Sequence, residues 1–423
     1  MKLRLTYHPV QNWQVAVPAG KSQSHRALIT AALAAGTSVL ANLPDNEDIR
    51  ATLRCLEQFG AGFAFSGEQV IVHGTGGHLP AGDLHMDCGA SGSTLRFMIA
   101  LAGIRSGRTV FTGTRRLLSR PLAEYEELFV RQGLRFENDG TRLVVEGGLR
   151  GGLFAVSGER SSQFVSGLLM ALPLLEDDSV LQVNGTLQSA SYVDLTEQYL
   201  AMAGIRVRRQ DQTWTIPGNQ KYLAHDTVIG PDVSAAAPFA VLAAMTDTEV
   251  LISGLKTGAR HPDMRLFAIL QDMGAEVSFG KDGCRVRGRN LLHGVTVDLS
   301  DCPDLGPVLF VLAAAAEGTT RFTHAGRLRY KESDRLAVMA EELARCGIVM
   351  TVLDDEVIIA SQQPRQPAAE LECHDDHRIA MALSLMAARL NDPVVLAGTE
   401  CIAKSYPDYF AVLENGGVVC TGA

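Results

Sequence analysis

Cationic side chains recur in three polar loops of this sequence. Arginine presents planar pairs of N–H donors that match the oxygens of phosphate and carboxylate groups, and lysine adds a compact positive charge. A single loop of this kind is usually solvated surface charge, but three recurring loops predict a site for small anions. The loops hold these cations, with one glutamate among them: Arg115, Arg116, Arg120, Arg327, Arg329, Lys331, Glu332, Arg335 and Lys404.

A second set of polar residues lies where helices are expected to begin in the first half of the sequence. The stretches are GKSQSHRAL from Gly20, GASGSTLRF from Gly89 and SSQF from Ser161. The free N–H groups and the positive dipole end of a helix attract anions at such positions. Serine capping of ordinary helices is the alternative interpretation. Capping would account for the serines but not for the whole set, which includes Lys21 and Arg26.

Aspartates occupy the matching helix starts in the second half, at Asp232, Asp304 and Asp376. Aspartate is a preferred N-cap residue, and we interpret Asp232 in this way. Asp304 could instead accept a proton from a substrate hydroxyl. His377 and Arg378 follow Asp376 directly. We expect no metal site here, and Arg378 is the better candidate for ligand binding.

A repeat of about 70 residues organises the chain. Six segments run from a polar turn into an Ala/Leu-rich helix, followed by a β-rich run, a loop, a second helix that ends on glycine, and two alternating strands. The first helix of each repeat is apolar on nearly every side, which predicts burial. The sequence therefore predicts an α/β fold with buried helices and outer sheets.

Two domains are expected, because a chain of 423 residues exceeds the usual size of one hydrophobic core. Three repeats form each domain, and the predicted boundaries are residues 19–229 for the first and residues 1–18 plus 230–423 for the second. The sixth repeat ends without its hairpin partner. The start of the chain, LRLTYHP followed by WQVAVPAG, is predicted to supply that partner.

Composition excludes several classes of protein. A net charge of −9 and a pI near 5.7 disfavour nucleic-acid binding, which normally needs a basic face. Neither a signal peptide nor a membrane span is evident, so we expect a cytoplasmic protein that binds no membrane. Eight cysteines without any CxxC pair indicate reduced, mostly buried thiols rather than a zinc site or a disulfide scaffold.

The assembled motifs resemble those of the EPSP synthase family of enolpyruvyl transferases over nearly the full length. The resemblance implies two domains, each an inside-out α/β barrel of three βαβαββ repeats. It also implies transfer of the enolpyruvyl group of phosphoenolpyruvate to shikimate 3-phosphate in aromatic amino acid biosynthesis, by a monomer without metal or organic cofactor. The matching motifs lie at Lys21–Leu28, Gly89–Arg96, Ser119–Pro121, Ser161–Phe164, Lys331–Leu336, Asp376–Arg378 and Ala403–Phe410.

The resemblance also implies which residues contact each substrate. Shikimate 3-phosphate is expected to be bound by Lys21, Ser22, Arg26, Ser161, Ser162, Gln163, Ser189, Asp304, Arg327 and Lys331. Phosphoenolpyruvate is expected to be bound by Lys21, Gly92, Arg120, Gln163, Arg335, Arg378 and Lys404. The fourth repeat, whose first helix starts at Asp232, is expected to be mainly structural.

Proton transfer is expected from Lys21, Asp304, Glu332 and Lys331, with Glu332 as the proton donor to carbon. An enolpyruvyl transferase acting on UDP-N-acetylglucosamine is the nearest alternative. That family carries a reactive cysteine in the loop that here reads TGTRRLLSRPL, and this loop has no cysteine. A catalytically silent anion-binding homologue is the other alternative.

Overall fold

Helices and strands alternate along the whole chain in this computed structural model, which describes residues 1–258, 261–288 and 291–423. The helices, in chain order, are α1 (Lys21–Leu33), α2 (Glu47–Gln58), α3 (Gly92–Ile104), α4 (Arg115–Leu118), α5 (Ala123–Arg131), α6 (Ser162–Ala171), α7 (Ala190–Met202), α8 (Val233–Met245), α9 (Arg265–Asp272), α10 (Gly306–Ala315), α11 (Arg335–Arg345), α12 (His377–Ser384) and α13 (Tyr409–Leu413).

The strands are short and mostly alternate between buried and exposed residues. In chain order they are β1 (Lys2–Tyr7), β2 (Asn12–Val15), β3 (Thr37–Ala41), β4 (Gly62–Ser66), β5 (Gln69–His73), β6 (Leu84–Asp87), β7 (Arg108–Thr112), β8 (Phe136–Asn138), β9 (Leu143–Glu146), β10 (Gly152–Ser157), β11 (Ser179–Asn184), β12 (Arg208–Gln210), β13 (Thr213–Ile216), β14 (Thr227–Val228), β15 (Glu249–Ser253), β16 (Glu276–Phe279), β17 (Gly283–Arg287), β18 (Thr296–Asp298), β19 (Thr319–Thr323), β20 (Met350–Val352), β21 (Glu356–Ala360), β22 (Leu371–Glu372), β23 (Val394–Ala397) and β24 (Val418–Gly422).

Each repeat forms one four-stranded sheet. In repeat five the order is β18-β19-β21-β20, with Val297 opposite Phe322 in a parallel pair and Phe322 opposite Val357 in an antiparallel pair. The other sheets follow the same plan: β14-β3-β5-β4, β6-β7-β9-β8, β10-β11-β13-β12, β2-β15-β17-β16 and β22-β23-β1-β24. The predicted βαβαββ repeats, with three in each domain, are confirmed.

The first helix of each repeat is buried and the second is amphipathic. Residues 233–244 of α8 are all buried, as are nine of the ten residues of α10, because these helices are apolar all round. The glycines after the second helices adopt positive φ angles between 72° and 106°, a conformation that favours glycine at a helix end. They are Gly60, Gly133, Gly204, Gly274, Gly347 and Gly417.

The start of the chain enters two different sheets. Strand β1 lies between β23 and β24, antiparallel to both, as the missing hairpin partner of repeat six. Strand β2 instead runs parallel to β15, so the prediction that WQVAV also belongs to repeat six is wrong. Its pattern, with Trp13 and Val15 buried, suits any half-buried strand, and only the tertiary structure selects the sheet. Repeat one receives its first strand, β14, in the same parallel manner.

The chain divides into two compact units. One comprises Ala19–Gly230 and is called the N-terminal domain below; the other comprises Met1–Pro18 with Pro231–Ala423 and is called the C-terminal domain. Within the described part of the chain, no helix is long and apolar enough to cross a membrane. All eight cysteines are free thiols, and only Cys420 is partly exposed, which agrees with the prediction of reduced, buried cysteines.

Candidate active site

Arg335 brings three carboxylates together in the C-terminal domain. This residue begins α11 and is 1% exposed. Its Nη1 donates to Asp304 Oδ1 at 2.9 Å, its Nη2 donates to Glu332 Oε2 at 2.8 Å, and its Nε donates to Asp376 Oδ2 at 2.8 Å. A buried guanidinium is stable only when its N–H groups find acceptors. The three acids are therefore fixed around one cation.

Lys331 completes this carboxylate cluster. It follows the short 3-10 turn Gly326–Tyr330, and its Nζ donates to Asp304 Oδ1 at 2.9 Å. Burial would raise the pKa of Asp304, but the positive charges of Lys331, Arg335 and Arg378 outweigh it and hold that pKa well below its ordinary value. Burial lowers the pKa of Lys331, although the negative charge of Asp304 acts to raise it. Asp304 is therefore a carboxylate at neutral pH.

The three aspartates expected at helix starts differ in what they do. Asp232 caps α8, with Oδ1 accepting from the N–H groups of Ser234 at 2.8 Å and Ala235 at 3.1 Å, so its interpretation as a cap is confirmed. Asp376 caps α12 and also accepts from Arg335. Asp304 lies in the 3-10 turn Pro303–Leu305 before α10, and its carboxylate accepts from side chains instead.

The remaining predicted cations of the C-terminal domain are held by neighbouring polar groups. Arg378 is 6% exposed and donates from Nη1 to Ser234 O at 2.6 Å and from Nη2 to Ser234 Oγ at 2.5 Å. Lys404 donates to the backbone oxygen of Asp375 at 2.7 Å and pairs with its carboxylate at 2.6 Å. Arg327 donates to Ser300 O at 2.9 Å.

A buried carboxyl with no hydrogen-bonding partner among the described residues stands near this group. Asp263 is 0% exposed, and neither of its carboxyl oxygens is hydrogen-bonded within the described ranges. Its backbone N–H donates to His261 Nδ1 at 3.2 Å. Burial, with the neighbouring Asp304 carboxylate, raises the pKa of Asp263 to about 8. Asp263 therefore carries a proton at neutral pH.

In the N-terminal domain, Lys21 is paired with an acid that the sequence did not reveal. Lys21 is the first residue of α1, where the helix dipole disfavours a cation. Its Nζ donates to Asp48 Oδ2 at 2.8 Å, from the first turn of α2. Both side chains are largely buried, at 17% and 12% exposure. The ion pair offsets the unfavourable dipole and fixes the ammonium group.

Arg26 is engaged by the protein on several sides. Its guanidinium donates to Thr196 Oγ1, Ser22 O, Ser166 Oγ and Tyr192 O at 2.7–3.2 Å. It is 2% exposed, and burial lowers its pKa to about 10. Four of the five N–H donors of this side chain thus point to protein acceptors. Arg26 joins α1, α6 and α7.

Gly92 and Gln163 lie at the starts of α3 and α6, and Arg120, which follows α4, packs against Gly92. Gly92 is the first residue of α3, and a Cβ added there would lie 2.5 Å from Arg120 Nη1. The arginine therefore packs directly on the glycine. Gln163 accepts from Arg96 Nη1 through Oε1 at 2.6 Å and donates from Nε2 to Ser93 Oγ at 2.8 Å. Three residues assigned to one substrate are thus fixed at two neighbouring helix starts.

The predicted serines lie at helix starts. Ser161 caps α6 by accepting from the N–H of Gln163 at 3.3 Å, and Ser162 is the buried first residue of that helix. Ser189 precedes α7 with φ 53° and ψ 46°, the left-handed conformation that residues other than glycine seldom adopt. Backbone strain of this kind clusters at ligand-binding positions. Its occurrence at a predicted substrate residue supports that assignment.

Four residues that position these groups were not predicted as site residues: Asp48, Arg96, Ser234 and Asp376. Asp376 was expected only as a helix cap. A carboxylate early in the second helix, in DNEDIR, was the one available signal for Asp48. No local pattern identifies its lysine partner, which lies 27 residues earlier in the chain.

One group of potential metal ligands occurs within the described residues. Glu341, Glu342 and His374 can each present one ligand atom, all within 4.8 Å of one another. Arg345 pairs with Glu341 at 2.9 Å and with Glu342 at 3.5 Å, and His374 Nε2 lies 2.9 Å from Glu342 Oε1. Charge pairing within the protein accounts for this group.

Two domains of three βαβαββ repeats, with cations and carboxylates gathered at the buried helix starts, are the architecture of the enolpyruvyl transferases. A sequence model described as EPSP synthase (3-phosphoshikimate 1-carboxyvinyltransferase) matches residues 9–413. This chain belongs to the EPSP synthase family, and the resemblance inferred from the motifs is confirmed.

Individual relatives agree over nearly the full length. A 3-phosphoshikimate 1-carboxyvinyltransferase of Clostridium kluyveri is 37% identical over 407 residues, covering 96% of this chain and 95% of the relative. Another, of Clostridium novyi, is 35% identical over 420 residues and covers 96% of each chain. The solved EPSP synthase of Acinetobacter baumannii superposes with a TM-score of 0.81 at 26% identity and covers 100% of both chains.

Proposed function

We propose that this chain transfers the enolpyruvyl group of phosphoenolpyruvate to the 5-hydroxyl of shikimate 3-phosphate, releasing phosphate, in aromatic amino acid biosynthesis. The observation that carries the proposal is the cluster in which Asp304 and Glu332 share Arg335, with Lys331 bound to Asp304. It places two carboxylates and an amine in one group, which is what an addition followed by an elimination requires.

In the addition step, the 5-hydroxyl oxygen bonds to C2 of phosphoenolpyruvate while the methylene carbon C3 gains a proton. Asp304 accepts the hydroxyl proton, and Lys331 holds that carboxylate in place at 2.9 Å. A carboxylate with a low pKa is a weak base toward a free alcohol. The hydroxyl becomes strongly acidic as its oxygen bonds to carbon, so the transfer is favourable when it accompanies bond formation.

In the elimination step, the methyl group of the tetrahedral adduct loses a proton, the C2=C3 double bond re-forms and the C2–O bond to phosphate breaks, while the proton that Asp304 accepted leaves with the phosphate. We assign the proton transfers at this carbon to Glu332, which donates a proton to it in the addition step and accepts one from it in the elimination step. Its side chain is 22% exposed, so a substrate can approach it, while Arg335 fixes its orientation at 2.8 Å. The leaving phosphate is stabilised by cations, for which Lys21 and Arg120 are the candidates in the N-terminal domain.

Substrate binding is assigned to the residues that the family resemblance implies. The serines at the starts of α6 and α7, with Ser22, Lys21, Gln163, Asp304, Arg327 and Lys331, are proposed to bind shikimate 3-phosphate. Lys21, Gly92, Arg120, Gln163, Arg378 and Lys404 are proposed to bind phosphoenolpyruvate. The expected binding of shikimate 3-phosphate by Arg26 and of phosphoenolpyruvate by Arg335 stays a prediction. Both arginines donate to protein acceptors, and we propose that they also orient the side chains around them.

The test is release of inorganic phosphate by the purified protein. We expect release only when shikimate 3-phosphate and phosphoenolpyruvate are both present, and none when UDP-N-acetylglucosamine replaces the first substrate. Asp304→Asn is expected to lower kcat at least a hundredfold while both substrates still bind, as general acid–base groups contribute about 10²–10⁴-fold. Equal activity with UDP-N-acetylglucosamine, or none with either acceptor, would overturn the proposal.

We further propose that the protein acts as a monomer in the cytoplasm, where phosphorylated metabolites of this kind are made. The two domains each have their own hydrophobic core. Light scattering during gel filtration should give a mass near 45.4 kDa at assay concentrations. A mass near twice that value would reject the monomer.

A further inference from the structure

Ser234 accepts hydrogen bonds from both terminal nitrogens of Arg378, a residue that is proposed to bind phosphoenolpyruvate. It lies in the first turn of α8, in repeat four, and is 5% exposed. Arg378 Nη1 donates to its backbone oxygen at 2.6 Å, and Arg378 Nη2 donates to its hydroxyl at 2.5 Å. The serine therefore contacts the arginine at two points, which fixes the plane of the guanidinium as well as its position.

Asp232 in turn orients this serine. The hydroxyl of Ser234 donates to Asp232 Oδ1 at 2.6 Å, and the Ser234 backbone N–H donates to the same oxygen at 2.8 Å. A hydroxyl has one hydrogen and two lone pairs. Because the hydrogen points to Asp232, a lone pair is directed to Arg378. Asp232 is 7% exposed, so the contacts from carboxylate to hydroxyl to guanidinium are all sheltered from water.

We infer that Ser234, held by Asp232, is a positioning residue for Arg378, so that repeat four contributes to phosphoenolpyruvate binding. This inference rests on the proposed function. A free arginine side chain samples many rotamers, and ordering it upon ligand binding reduces affinity. The contacts with Ser234 order the side chain before the ligand arrives. The expectation that repeat four is mainly structural therefore needs revision.

A purely structural role makes a different prediction. The cap of α8 uses Asp232 Oδ1 with backbone N–H groups, and it survives when the Ser234 hydroxyl is removed. Ser234→Ala therefore deletes the contacts of the hydroxyl with little effect on the helix. Ser234→Thr keeps the hydroxyl and adds a methyl group. Comparison of these two variants separates the effect of losing the hydroxyl from the effect of altered packing at residue 234.

The experiment measures kcat and both KM values by phosphate release for the wild type and these variants. Ser234→Ala is expected to raise the KM for phosphoenolpyruvate about tenfold, while kcat and the KM for shikimate 3-phosphate change less than twofold. Ser234→Thr is expected to restore the KM for phosphoenolpyruvate to within threefold of the wild type. Ser384→Ala is the matched control, because Ser384 is also buried in this domain but bonds to Met381 and Tyr409.

A second measurement links the effect to the arginine. Lysine lacks the two terminal N–H groups that Arg378 directs to Ser234. In an Arg378→Lys background, adding Ser234→Ala should therefore change the KM for phosphoenolpyruvate less than twofold. An unchanged KM in Ser234→Ala with an active wild type would overturn the positioning role alone. A wild type that releases no phosphate from the two substrates would overturn the proposed function instead. A fall in kcat together with similar rises in both KM values would also reject the inference, since such changes indicate general disruption of the site.

Discussion

Lys21 and Asp48 form a largely buried ion pair, with Nζ 2.8 Å from Oδ2, between the first turns of two successive helices. The lysine stands at the positive end of α1, where only a neighbouring anion makes an ammonium group favourable. Asp48 supplies that anion. We propose that the same geometry positions the ammonium group for a phosphate.

We predict that Asp48→Asn raises the KM for phosphoenolpyruvate about tenfold and lowers kcat, because the ammonium group loses the charge that fixes it. Steady-state kinetics with each substrate varied in turn would measure both effects. Asp45→Asn is the control, since Asp45 lies just before α2 but pairs with Arg50 at the surface. Equal kinetics for Asp48→Asn and the wild type would show that the pair has no role in the site.

Gly92 and Arg120 provide a steric prediction. A methyl group on residue 92 would lie 2.5 Å from Arg120 Nη1, closer than any stable contact, so the guanidinium must move. We expect Gly92→Ala to raise the KM for phosphoenolpyruvate by about tenfold or more and to leave the KM for shikimate 3-phosphate within twofold. Gly62→Ala is the control, because a Cβ there meets only ordinary contacts with His73. A similar rise in both KM values would contradict displacement of Arg120.

Glu332→Gln tests the assigned proton donor. Glutamine keeps an oxygen that can accept from Arg335 but cannot carry the transferred proton. We expect kcat to fall at least a hundredfold, with both KM values within threefold of the wild type. Glu341→Gln, on the helix α11 that follows Glu332, is the control, since that side chain is exposed and paired with Arg345. Retention of more than a tenth of the wild-type kcat in Glu332→Gln would exclude the assignment.

The fold was predictable because its signals are local and repeated. Ala/Leu-rich helices, alternating strands and glycines at helix ends recur in every repeat, and each glycine adopts the expected positive φ. The sheet that β2 enters was not predictable, because a short alternating strand fits several sheets equally well. A pattern of this kind specifies an element but not its neighbour.

The candidate site was predictable in its cations and less so in its anions. Lys331 and Arg335 were identified from their loop, whereas their arrangement around shared carboxylates depends on contacts across 27 to 41 residues of chain. Aspartate is also a common helix cap, so the sequence could not distinguish Asp376, which binds Arg335, from Asp232, which caps α8. The pairing is decided by tertiary packing.

Asp263 leads to a prediction about stability and pH. Its folded-state pKa is raised to about 8 by burial and by the Asp304 carboxylate, above the value of an unfolded aspartate. Between about pH 4 and pH 8 the unfolded chain has lost this proton while the folded chain keeps it. The free energy of unfolding therefore falls as pH rises through this range and levels off above it. Among the described residues, the charged and titratable groups that face the carboxyl are Asp304, Asp232, Arg378, Lys331, Cys302 and His261.

Asp263→Asn removes this ionisation while keeping the shape of the side chain. We expect the variant and the wild type to melt at similar temperatures at pH 5, and the variant to melt at a higher temperature at pH 9. The gain there should be on the order of a few kcal/mol, because the wild type then carries an unpaired buried charge. Scanning calorimetry at a series of pH values would measure the difference, with Asp282→Asn, a change at an exposed hairpin position, as the control. Parallel pH profiles for Asp263→Asn and the wild type would show that Asp263 ionises normally in the folded protein.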